Sequence, residues 1–104
     1  MCGGGGGGSI YPTEPQETCP KQVDLQLKDI AHSGNEDVWD SEVSNGDYFD
    51  LQPDSHDKTI IVSYEGKPIG RIRNPLLYRC MVNSGYTYRA ILISKSNELI
   101  RVVR

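Results

Sequence analysis

Nowhere in the 104 residues does an apolar run approach the roughly 20 residues that a membrane-spanning helix requires. The N-terminus also lacks the basic-then-apolar pattern of a secretory signal. With a mean hydropathy of -0.50, these absences predict a cytoplasmic protein, nuclear in a eukaryote, that is neither secreted nor in contact with a membrane. Cysteine is scarce: Cys2, Cys19 and Cys80 form no Cys-x-x-Cys pair and are odd in number. Neither a zinc knuckle nor a closed disulfide framework is therefore expected. Cys80 reads as a core residue and the other two as free thiols. Aromatic residues make up 8% of the chain, with one Trp and one Phe, so only a single small core is expected. No phosphate-cradling loop is indicated, because the glycine run has no strand before it and no helix after it.

Cations are missing from the first half of the chain. Residues 1–57 hold two lysines against twelve acids, whereas residues 58–104 hold nine bases against two. All six arginines lie after position 70. This asymmetry suggests a polyanionic partner, because the arginine fork matches phosphate oxygens. Alternatively, the acidic half folds against the basic half and neutralises it internally.

What remains divides into a flexible arm over residues 1–20 and one domain over residues 21–104. Six consecutive glycines followed by three prolines between Pro12 and Pro20 favour solvated, extended backbone over a packed one. The domain is small enough that a barrel closing on itself suits it better than a two-layer α/β fold. Val23, Leu25 and Leu27 alternate with polar residues, which predicts a first strand. Residues 29–46 are too rich in Gly, Asn and Asp to be regular throughout, and Val38 and Trp39 should pin them to the body. A short strand over 48–52 should turn Phe49 and Leu51 inward. A polar loop over 53–57 follows, then strands over 59–64 and 68–73 joined at Glu65-Gly66-Lys67. Asn74-Pro75 marks a helix start, with asparagine as cap and proline at the first helical position, and Ser84-Gly85 marks its stop. Two β-rich runs, 86–94 and 98–103, close the chain. The expected fold is mainly β (α+β): a closed or partly open barrel of about six strands with one short helix.

Two constellations could carry chemistry. Asp54, His56 and Asp57 are the tight carboxylate and histidine cluster, but in a turn such carboxylates cap backbone N–H groups. No cofactor or metal is expected from them, and no enzymatic activity. The second mixes arginine with tyrosine: Tyr64, Arg71, Arg73, Tyr78, Arg79, Tyr86, Tyr88 and Arg89. Single-stranded nucleic acid is held by cations along its backbone and by aromatic faces under its bases. The same residues could instead fill the core rim and solubilise a sheet face.

The run Gly46-Asp-Tyr-Phe-Asp-Leu-Gln-Pro-Asp-Ser-His-Asp-Lys-Thr-Ile-Ile-Val62, continuing through Gly66-Lys-Pro-Ile-Gly70, resembles the HIRAN domain, a small β-barrel found beside DNA-repair helicases and nucleases. The likeness extends over about residues 22–104. It departs from the family at Asp54-Ser55, where Asn-Pro is usual, and at Arg71, which replaces a tyrosine. The resemblance implies a module that grips a free single-stranded DNA 3′ end. Asp57 would bind the terminal hydroxyl, and His56 would stand where an aromatic stacks on the last bases. Lys58, Arg71 and Arg73 are expected phosphate contacts, with Tyr86, Tyr88 and Arg89 completing the DNA-binding set.

The function expected from the sequence is therefore non-enzymatic binding of a single-stranded DNA end. The alternative is a protein-interaction or inhibitor module, of the kind a phage or mobile element encodes, whose acidic segment over residues 36–57 docks on a basic partner.

Overall fold

A computed structural model of the chain describes residues 18–104. Most of the arm expected over residues 1–20 lies outside the described residues. The strands are β1 (Gln22–Gln26), β2 (Tyr48–Asp54), β3 (Thr59–Tyr64), β4 (Lys67–Ile72), β5 (Arg89–Ser94) and β6 (Leu99–Val103). The α-helices are α1 (Glu36–Ser41) and α2 (Pro75–Val82), and a 3-10 turn spans Ile30–His32. The strands form one antiparallel sheet in the order β1-β6-β5-β2-β3-β4. That sheet curls into a half-barrel. Its two outer strands meet just past β1, where Lys28 and Arg71 exchange both backbone hydrogen bonds at 2.8 Å.

The period-two alternation that predicts the strands also selects their inward faces, except in β4, where a register shift opposite Val62 and Ser63 lets both Ile69 and Ile72 face inward. Phe49, Ile60, Val62, Ile69, Ile72, Ala90, Leu92, Ile100 and Val102 are all at most 1% exposed, each large aliphatic side chain contributing roughly 1.5–3 kcal/mol by leaving water. The β3–β4 turn needs left-handed backbone at two successive residues, and Glu65 and Gly66 supply it with φ of 49° and 83°. Gly70 lies at the seam of the half-barrel, where a Cβ would stand 2.8 Å from the Lys28 carbonyl oxygen and 2.9 Å from Leu27 Cδ1. Only a residue without a side chain allows that approach.

Three expectations need correction. The segment over residues 29–46, not regular throughout as expected, nevertheless contains the 3-10 turn and α1, a second helix where one was expected, and its Val38 and Trp39 are buried as anticipated. Lys95 fastens α1: its Nζ donates to the carbonyls of Val43 at 2.6 Å and Asp40 at 3.1 Å, and it lies over the Trp39 ring. Strand β2 runs on through Pro53 to Asp54. A proline is tolerated there because β2 pairs with β5 only over Tyr48–Asp50, so beyond that point it has one neighbour.

The third correction concerns the thiols. Cys80 is in the core at 1% exposure, but it is bonded to Cys19 in a disulfide that spans 61 residues. Nothing in the spacing reveals this pairing, because only the folded chain brings residue 19 beside α2. The domain therefore begins at or before Cys19. Tyr88 Oη donates to the Pro20 carbonyl at 2.8 Å, and the Arg104 backbone N–H donates to the Lys21 carbonyl at 2.9 Å.

Candidate binding cleft at the mouth of the half-barrel

Antiparallel pairing gathers the ends of β2, β4 and β6 with the starts of β1, β3 and β5 at one mouth of the half-barrel. The helix α2 enters this mouth directly from β4. Asn74 caps it by accepting from the Leu77 backbone N–H at 2.9 Å, and Pro75 occupies the first turn. Leu77 and Cys80 point into the core. Residues 75, 78, 79 and 82, on the opposite face, form one wall of a cleft of about 670 Å³ whose other wall is Asp57, Lys58 and Thr59. Arg73 and Asn74 line its floor between them.

The sequence-predicted residues divide into two groups at this mouth. Asp57, Lys58 and Arg73 share the cleft. His56 is an exposed turn residue just outside it, its backbone N–H donating to Asp54 Oδ1 at 3.0 Å. Lys58 has φ of 60° and is exposed, and it makes no ion pair among the described residues. Tyr86, Tyr88 and Arg89 lie elsewhere, at the start of β5. There Arg104 stacks on Tyr86 at 4.2 Å, Arg89 lies 5.4 Å from the Tyr48 ring centroid, and Thr87, Tyr88 and Arg89 line a separate cleft with Asp50 and Leu51. The role expected for Tyr88 is corrected by its burial: at 2% exposure, with its hydroxyl bonded to Pro20, it cannot offer a face to a base.

Arg71 is likewise committed. Its guanidinium donates to Asp54 Oδ2 at 2.8 Å, to Thr59 Oγ1 at 2.8 Å and to Asp57 Oδ1 at 3.4 Å. Asp57 Oδ1 also accepts from the Thr59 hydroxyl at 2.6 Å and the Thr59 backbone N–H at 3.2 Å. These bonds set the local electrostatics. The hydrogen bond from Arg71 holds the Asp54 carboxyl below its ordinary value, and the hydrogen bond from the Thr59 hydroxyl does the same for Asp57. All three bonds leave from Nη1, so Arg71 orients the loop through one arm of its fork. Both carboxylates act as caps of turn N–H groups, which is the structural role that their position suggests. Among the described residues no group of three or more His, Cys, Asp or Glu side chains is placed to hold a metal ion.

Much of the charge asymmetry is resolved inside the molecule. Asp24 pairs with Arg101, Asp29 with Arg73 at 2.6 Å, and Asp54 and Asp57 with Arg71, each pair joining the acidic half to the basic half. By contrast Glu36, Asp37, Asp40 and Glu42 are exposed along α1, and none of their carboxylates makes an ion pair among the described residues. Tyr78, Arg79 and Asn74 are cleft residues outside the DNA-binding set expected from the sequence. The signal for them was the helix itself, since the face of α2 opposite Leu77 and Cys80 has to look onto whatever stands beside it. None of the helices among the described residues is long and apolar enough to cross a membrane. No protein-family model matches the chain, and neither does any curated protein or solved structure.

Proposed function

We propose that this chain is a non-enzymatic binding module and that the cleft between α2 and the β2–β3 turn receives the end of a single nucleic-acid strand. The carrying observation is the composition of the cleft: Lys58 and Arg73 for phosphate oxygens, Tyr78 as a half-buried ring and the Asp57 carboxylate as an acceptor converge around about 670 Å³. Asp57 Oδ1 is taken by Thr59 and Arg71, and Oδ2 remains for a hydroxyl. Cations beside an aromatic face are the usual means of holding a single strand. The HIRAN resemblance supports the same reading.

The test is fluorescence anisotropy with a short labelled single strand carrying either a free 3′ hydroxyl or a 3′ phosphate. Preference for the free hydroxyl, a loss of at least tenfold in Lys58→Glu and in Tyr78→Ala, and loss of end preference in Asp57→Asn are expected. Affinity should fall steeply with salt. Absence of binding to either strand at low salt overturns the proposal.

A second reading is favoured by the unpaired carboxylates of α1, which would dock on a basic protein surface. It predicts binding that survives Lys58→Glu and fails when Asp37, Asp40 and Glu42 are neutralised together. The Cys19–Cys80 bond supports an oxidising compartment for the chain, because such bonds rarely persist among reduced cytosolic thiols.

A further inference from the structure

We infer that the Cys19–Cys80 disulfide is an oxidation-dependent latch on α2, so that the cleft is assembled when the bond closes and lost when it is reduced. This holds whatever ligand the cleft takes. The helix α2 is short. It has eight residues, too few to persist as a helix without tertiary support. Two of its side chains are fully buried, Leu77 and Cys80, while Leu76, Tyr78 and Met81 pack against the core only in part, so the latch residue is one of its two deepest anchors. The face opposite these two is the wall of the cleft, and whatever frees Cys80 also frees that wall.

The other end of the bond lies in backbone without regular structure. Residues 18–20 precede β1, and apart from the disulfide they are held by Tyr88 Oη on the Pro20 carbonyl at 2.8 Å and Arg104 Nη1 on the Cys19 carbonyl at 3.3 Å. Cys19 Sγ lies 3.8 Å from the Ser84 hydroxyl, so the bond also fixes the chain where it leaves α2. Cys19 is partly exposed whereas Cys80 is buried, which makes the Cys19 sulfur the accessible one. A dithiol reductant attacks there through its thiolate and forms a mixed disulfide as Cys80 leaves and takes up a proton. The second thiol of the reductant then displaces Cys19. Two electrons and two protons pass to the protein, and the reductant leaves as its own disulfide.

The experiment is a ligand-free set of backbone chemical shifts on the full chain: oxidised, reduced with dithiothreitol, and as Cys19→Ser. In the reduced protein and in the variant, the helical shifts of Leu76–Val82 should fall by more than half while those of β2, β5 and β6 stay within about a tenth. Re-oxidation should restore the helix in the wild type and leave the variant unchanged. Retention of the helical shifts after reduction overturns the latch. Loss of the sheet together with the helix also overturns it, because the bond is then a staple for the whole domain. Cys19→Ser avoids the buried position, and the reduced wild type tests the same state with no substitution at all.

Discussion

Arg71 shows how the reading of a single residue depends on its neighbours. In sequence it is one of six arginines and a natural phosphate contact. In the fold it is the hub of the β2–β3 turn, tied to Asp54, Asp57 and Thr59. Because both carboxyls titrate below their unfolded values, their contribution to stability is full above about pH 3.9, the ordinary aspartate value. It is lost as the pH falls through the lower folded values. Wild-type protein should therefore lose stability between pH 5 and pH 2.5, measured as the urea midpoint, more steeply than Arg71→Gln does. Equal slopes for the two proteins would show that the hub contributes nothing. The pairs are partly exposed, so salt should weaken the effect.

At the scale of elements, closure of the half-barrel rests on one point. Strand β4 approaches the residue after β1 through the Lys28–Arg71 bridge, and Gly70 makes room for it. The Leu27 side chain that a new Cβ would strike is fully buried, and the Lys28 oxygen is backbone, so neither can step aside easily. Gly70→Ala should cost about 2 kcal/mol in equilibrium unfolding, in the range of overpacked cores. A change below about 0.5 kcal/mol would mean that the seam yields freely. The helix α2 was legible in the sequence from Asn74-Pro75 to within a residue, because capping chemistry is local. The helix α1 was not, since residues 35–42 carry only two apolar anchors and much of what secures them comes from Lys95, more than fifty residues away. That distant lysine has no local signature near α1.

For the whole molecule, the disulfide is the long-range constraint. A bond closing a loop over 61 residues removes unfolded-state entropy worth about 4 kcal/mol, a large share of the 5–15 kcal/mol typical of a domain. Denaturation in urea with and without a dithiol should differ by about that amount. A difference under 1 kcal/mol would mean that strain or residual structure cancels the entropic gain. The cross-half ion pairs act at the same scale: they engage Arg71 and Arg73 through one guanidinium nitrogen each and Arg101 through two, and leave Lys58 free of ion pairs at the cleft among the described residues.

The sequence by itself determined the β class of the fold, the inward faces of the strands, the position of α2 and the turns. Each of these depends on side-chain alternation, capping or left-handed backbone within a few residues. Of the eight binding residues that the sequence put forward, Asp57, Lys58 and Arg73 line one cleft, because a hairpin turn and a strand end separated by one antiparallel pairing come to the same mouth. The tertiary structure alone decided that Tyr88 is buried, that Arg71 bonds to two carboxylates, that Tyr78 faces the cleft and that Cys19 meets Cys80. Those outcomes depend on contacts between residues 12 to 68 positions apart, and no local pattern encodes which distant group will arrive.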